Sequence, residues 1–157
     1  MSEIISFKLS LNKTNPCIWR RVLVPASISF FDFHHILQIS MGWKNSHLFE
    51  FQVGDYKIGY IHPQEAFDDV ADAGEVTLDL LLKEGMTLAY LYDFGDYWMH
   101  GGIHGFYRHL EIIKDPRHEE YKEVKRGLGR GYDPEKLDLD KVNKELPKFK
   151  KYRKRWQ

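Results

Sequence analysis

The stretch from Ser29 to Gly42 constrains the fold more than any other, because both its ends and its period can be read from the residues. Ser29 stands where a helix N-cap belongs, with Asp32 where a capping box prefers Glu or Gln. Phe33, Ile36, Leu37, Ser40 and Met41 recur at spacings of three and four, the stripe of an amphipathic helix, and Gly42 supplies the stop. On either side the period changes to two. Ile5, Phe7, Leu9 and Leu11 alternate with Ser6, Lys8 and Ser10, Asn12 to Pro16 is turn chemistry, and Ile18 to Val24 is a second strand ending at Pro25. Their closeness predicts an antiparallel hairpin, with Trp19, Arg21 and Leu23 on one face and Ile18, Arg20, Val22 and Val24 on the other.

Beyond the helix, His47, Phe49, Phe51 and Val53 alternate as a third strand, and Gly54-Asp55 turns into a fourth over Tyr56 to Ile61. Residues 62–75 are acidic and contain Pro63 and Gly74, which predicts a solvated loop. Thr77 caps a short helical turn through Leu82, and a strand follows with Leu88, Tyr90 and Tyr92 on one face. Hairpin, helix, two strands, helical turn and strand form an α+β order. They predict a β-grasp-like mixed sheet wrapping one amphipathic helix. Phe106 to Ile113, Asp115-Pro116 to about Leu128, and Asp140 to Leu146 read as further helices packed on the sheet. The expected organisation is one domain over 1–157: a core at 1–100, a helical part at 101–147 and a basic tail at 148–157.

A chain that is 43% hydrophobic and 15% aromatic can bury a core, which excludes general disorder. Its 23 basic and 23 acidic residues cancel, so no global field draws it to nucleic acid or membrane. The charge is uneven, however, with five acids and no base over Glu65–Glu75 and six bases and no acid over Lys148–Arg155. The single cysteine, Cys17, allows no intrachain disulfide and reads as a small buried side chain at a strand entry. No signal peptide or membrane-length apolar run is visible, so the expected location is cytoplasmic.

The chemistry-bearing stretch is Leu88 to His100, where a strand leads into a turn at Phe94-Gly95-Asp96. Asp93, Asp96, Trp98 and His100 gather around that turn, and His47 is a candidate to join them. Carboxylates beside imidazoles suit divalent metals, with His47, Asp93, Asp96 and His100 the candidate ligands, and they also suit general acid–base work by Asp93, Asp96 and His100. The plainer reading has the aspartates capping the turn while Trp98 and His100 pack on the core. His34 and His35 are adjacent on a helix and so point about 100° apart, away from a shared site. His118-Glu119-Glu120 resembles part of a metal motif but lacks a second His at helical spacing.

Arg21, beside Trp19 and Arg20, can present a fork to phosphate or carboxylate, or pair with Asp93 or Asp96. In the tail, Lys148, Lys150, Lys151, Arg153, Lys154 and Arg155 alternate with Phe149, Tyr152 and Trp156. That pattern fits nucleic-acid contact, or a segment laid on the domain by its aromatic face.

Five pieces in order carry a resemblance: Trp19-Arg20-Arg21, Met41-Gly42-Trp43, His47-Leu48-x-x-Phe51, Tyr92-Asp93-Phe94-Gly95-Asp96-x-Trp98-x-His100 and Asp115-Pro116-x-His118-Glu119. The chain resembles the plasmid pRiA ORF-three-like family, found on plasmids, as transposon passengers and in chromosomes, and the resemblance spans nearly its whole length. It implies a mobile-element setting and no established activity. Similar proteins continue past the His100 position with another strand and a P-P-E-D-x-G-G loop, whereas here His100 runs into Gly101-Gly102.

The function expected first is therefore a binding or interaction module, for an unknown protein or small ligand, rather than an enzyme. Its surface would be Trp43, His47, Asp93, Asp96, Trp98 and His100, with Arg21 nearby. The alternatives are a metal-assisted hydrolase or nuclease using Asp93, Asp96 and His100, and a nucleic-acid accessory protein acting through the tail. No cofactor is indicated by the residues.

Overall fold

The computed structural model describes residues 3–60, 69–93, 102–129, 131–133 and 135–155. β1 (Ile4–Ser10) and β2 (Trp19–Pro25) pair antiparallel in continuous register from Ile4 with Pro25 to Ser10 with Trp19. The alternation is as expected: Val22 and Val24 are buried while Trp19, Arg21 and Leu23 are exposed. Cys17 departs from expectation, lying exposed in the turn before β2.

α1 (Phe30–Met41) begins and ends where its signals put it. Ser29 Oγ accepts from the Asp32 backbone N–H at 3.1 Å, and Gly42 closes the helix at φ 72°, a conformation only glycine adopts without cost. Its expected amphipathicity is not what the structure shows. Asp32, His34, His35, Gln38 and Ser40 are buried along with the apolar stripe. Two covers account for this: Tyr90 and the loop at Asn45 close over His34 and Gln38, and a 3₁₀ helix over Leu146–Arg155 packs against α1 on the His35 side, with Leu146 and Phe149 joining the core.

β3 (Phe49–Val53), β4 (Tyr56–Gly59), β5 (Val70–Asp72) and β6 (Ala89–Tyr92) form a four-stranded sheet in the order β5-β4-β3-β6. Only β4 and β5 run parallel. β5 lies inside the stretch expected to be a loop. Its three residues are too few to show a period, and it is secured by pairing with β4 and by the fully buried Ala73 that follows. α2 (Leu78–Leu81) is the expected short turn.

The class is α+β, but the described pairings form two sheets rather than one continuous sheet around the helix. A single core joins them: Val22 and Val24 from the hairpin, Phe30, Phe33 and Leu37 from α1, and Phe49, Phe51 and Ile58 from the larger sheet. Phe33 lies between the two, 4.5 Å from the Phe7 ring and 5.7 Å from that of Phe51. α3 (Gly102–Lys114), α4 (Tyr121–Leu128) and α5 (Leu139–Glu145) complete the described elements. They do not lie chiefly on the sheet as expected. α3 packs on α4, and α5 packs on the terminal helix and α1. Among the described residues no helix is long and apolar enough to cross a membrane.

Candidate functional site

One loop, Trp43 to Leu48, is held between the end of α1 and the end of β6. Beneath it lies a closed ring of buried polar groups. Gln38 Nε2 donates to the Tyr90 hydroxyl at 2.9 Å, and that hydroxyl donates to His34 Nδ1 at 2.6 Å. His34 Nε2–H donates to Asn45 Oδ1 at 2.5 Å, and the Asn45 backbone N–H returns to Gln38 Oε1 at 2.9 Å. The His34 ring also lies flat on Phe49, with centroids 3.7 Å apart and planes at 12°.

Burial sets the protonation of this ring. It lowers the His34 pKa from 6.5 to about 3, opposed by the Asn45 hydrogen bond and reinforced by neighbouring His35. Burial likewise pushes the Tyr90 hydroxyl upward, so it stays protonated and able to donate. His34 is therefore a neutral bridge at physiological pH rather than a proton carrier. His35 turns the other way, its Nδ1 hydrogen-bonded to the Phe31 carbonyl at 2.7 Å and its ring 6.5 Å from that of Tyr152. The expectation that the two histidines diverge holds.

The upper side of the loop carries the exposed chemistry. Trp43 stacks on Tyr92 at 5.4 Å with planes 8° apart, and the Tyr92 hydroxyl accepts from the Ser46 N–H at 2.8 Å. His47 Nδ1 lies 3.3 Å from Asp93 Oδ1, with the imidazole about half exposed. Asp93 N–H donates to the Leu48 carbonyl at 3.0 Å, closing the loop against β6. Asn45 and Asp93 both adopt positive φ, 52° and 64°, a region that suits their short polar side chains better than most. Asn45 is only 5% exposed, and its Nδ2 has no hydrogen-bond acceptor among the described residues.

The structure thus brings together Trp43, His47 and Asp93 of the expected surface. Asp96, Trp98 and His100 lie outside the described residues. Arg21 is elsewhere, on the outer face of β2 opposite Lys8; of its two candidate partners Asp93 sits beside His47 instead, and Asp96 lies outside the described residues. Among the described residues no group of three or more His, Cys, Asp or Glu side chains could hold a metal ion. His47 and Asp93 alone offer two donors. His118 serves its own turn, with Nδ1 accepting the Glu120 N–H at 3.1 Å. In the tail, Lys148 pairs with Glu145 at 2.8 Å, Lys150 and Lys151 are exposed, and Phe149 faces the core. Nothing is described of the Arg153, Lys154 and Arg155 side chains.

Sequence reasoning missed the buried ring. Its available signal was Asn45, a turn-forming residue just past the helix stop, and Gln38, one helical turn beyond His34.

Fold and loop define an α+β protein with a polar core ring supporting an aromatic and His–Asp surface cluster. The comparisons narrow that class. The chain belongs to the plasmid pRiA4b ORF-3-like protein family, whose profile matches residues 3–101 and 100–141. It is 30% identical over 178 positions to the uncharacterized protein y4hQ of Sinorhizobium fredii, covering 92% of this chain and 91% of that one. It is also similar to the crystal structure of MM3350, a protein of unknown function from Methanosarcina mazei Go1. That match has a TM-score of 0.74 at 27% identity and covers 87% of this chain and 96% of the other.

Proposed function

We propose that the chain is a binding module whose ligand surface is the Trp43–Leu48 loop and the end of β6. The β-grasp order belongs to the same proposal, supported by the hairpin–helix–strand–strand succession and by the core that both sheets share around α1. The observation that carries the binding reading is the half-exposed His47 imidazole, 3.3 Å from the Asp93 carboxylate and beside the Trp43–Tyr92 stack. Trp43 and Tyr92 offer flat aromatic surface, and His47, oriented by Asp93, offers a donor or acceptor. Beneath them the enclosed Asn45 amide, whose Nδ2 has no acceptor among the described residues, holds the loop to the core through its other bonds. The ligand class that matches is a small planar molecule bearing a carbonyl, carboxylate or ring-nitrogen acceptor.

The test is an amide and indole chemical-shift titration of the full chain with nucleobases, nucleosides and heteroaromatic carboxylates. The expected result is saturable shifts at Trp43, Asn45 and His47 that vanish in Trp43→Ala and in His47→Ala. Shifts that map elsewhere, or that survive both substitutions, overturn the reading. So does a library that produces none.

A further inference from the structure

From Lys8 to Arg21 the chain holds four bases, Lys8, Lys13, Arg20 and Arg21, and no acid. None of the four has an ion-pair partner among the described residues. Two of them face each other across the hairpin. The Ala26 N–H to Glu3 carbonyl bond and the Leu11 N–H to Ile18 carbonyl bond put the hydrogen-bonded pairs at the odd residues of β1. Lys8 and Arg21 therefore meet at a non-hydrogen-bonded position, where opposed side chains approach most closely and like charges destabilise the pair. Trp19, two residues before Arg21 on the same face, is half exposed, and the Lys8 ammonium lies 5.6 Å from its ring centroid. Arg20 Nη1 donates to the Trp19 carbonyl at 2.7 Å, while its Nε has no acceptor among the described residues.

The rest of this outer face has no carboxylate. Ser10 lies opposite Trp19, Ser6 opposite Leu23 and Ile4 opposite Pro25, with Leu23 and Ile4 exposed. Cations, hydroxyls and flat or apolar surface thus alternate along one face of two strands. A matching ligand is a polyanion, which relieves the Lys8–Arg21 repulsion, and it also presents planar rings to the indole. Phosphates strung between unpaired bases meet both demands. Arginine and lysine contact the phosphates, serine hydroxyls donate to phosphate or sugar, and an exposed indole stacks on a base. A duplex keeps its bases inside its own stack, and an acidic peptide brings charge without the rings.

We propose that the outer face of the β1–β2 hairpin is a binding site for single-stranded nucleic acid, with Lys8 and Arg21 on the phosphates and Trp19 stacked on a base. The site shares no residue with the Trp43–Leu48 loop and lies on the other sheet, so each can be tested without the other.

The test uses the full chain with fluorescein-labelled decathymidylate and decauridylate as probes, read by anisotropy across a salt series. Saturable binding is expected, with a shift of the Trp19 indole N–H resonance in the unaltered chain. Trp19→Ala is expected to weaken binding at least fivefold. The double variant Lys8→Ser, Arg21→Ser is expected to flatten the logarithmic salt slope by about 1.4, two phosphate contacts at about 0.7 each. It should keep a transition temperature at or above that of the unaltered chain, because the like-charge pair is gone. If Trp19→Ala does not fold, the charge variant and the Trp19 resonance decide. The proposal is overturned if neither oligonucleotide binds saturably, if affinity and salt slope survive both substitutions, or if the indole shift falls on Trp43 instead of Trp19. It is also overturned if a duplex binds as tightly, or if polyglutamate or phosphatidylserine vesicles displace the probe at equal charge concentration.

Discussion

The enclosure of His34 makes stability depend on pH by an amount that follows from the structure. The imidazole has no exposed surface, and its folded pKa lies near 3 against 6.5 for the ordinary side chain. Between those values the unfolded chain binds one proton that the folded chain does not. Stability is therefore unaffected above pH 6.5 and falls as the pH drops below it, at about 1.4 kcal/mol per unit. From pH 7 to pH 5 the loss is about 2 kcal/mol, and it barely changes if the folded pKa is a unit higher, because pH 5 still lies above it. The assay is urea unfolding across that range for the unaltered chain, His34→Gln and Tyr90→Phe. His34→Gln should start lower at neutral pH yet escape about 2 kcal/mol of the acid loss. Tyr90→Phe removes the hydroxyl partner but not the enclosure that depresses the pKa, so its profile should run lower and parallel to that of the unaltered chain. If His34→Gln loses stability in step with the unaltered chain between pH 7 and pH 5, the neutral buried imidazole is refuted.

Ser29→Ala, which deletes the acceptor for the Asp32 N–H, should cost about 1 kcal/mol in the same unfolding assay. Ile58→Ala, at a fully enclosed position of β4, should cost about 3 kcal/mol and lower the denaturant midpoint without changing the slope. Asp93→Asn should move stability by less than about 0.5 kcal/mol, since its His47 partner is half exposed. The same variant should weaken ligand-induced shifts at His47, and unchanged shifts would remove Asp93 from the site. Phe149→Ala should cost about 2 kcal/mol, because this ring fastens the tail to the core. The double variant Lys150→Ser, Lys151→Ser should leave stability within about 0.5 kcal/mol, and any nucleic-acid affinity of the tail should then fall together with its salt dependence.

Local signals and long-range ones differ in how far the sequence exposes them. The start and stop of α1 were legible because Ser29 and Gly42 act within one helical turn of themselves. The faces of β1, β2 and β6 were legible because side-chain alternation needs no knowledge of a partner. What surrounds α1 was not. Polar His34 and Gln38 look like a solvent face until Tyr90 and the Asn45 loop close over them, and His35 does until the tail, more than a hundred residues later, lies against the helix. β5 escaped for the same reason: Val70 and Ala71 become a strand only by pairing with Lys57 and Ile58. Of the site, Trp43, His47 and Asp93 come together around the loop, while Arg21, on a hairpin that forms its own sheet, lies elsewhere.

The two imidazoles beside the loop have different work to do, and the difference follows from their surroundings. His34 is sealed, neutral and fixed in one tautomer by the acceptor it faces, so its effect on any ligand is to hold Asn45 where it is. His47 has solvent on one side and a carboxylate on the other, so it is the imidazole that a ligand can touch. The ring of Gln38, Tyr90, His34 and Asn45 couples core packing to the position of the loop, because loosening any bond releases the Asn45 backbone or side chain. Tyr90→Phe should therefore speed exchange of the Asn45 amide and weaken the ligand without removing any group the ligand contacts. His47→Ala should weaken the ligand and leave Asn45 exchange unchanged. A common effect of both substitutions on Asn45 exchange would mean that the loop is held from above, by its surface pairs, rather than from the core.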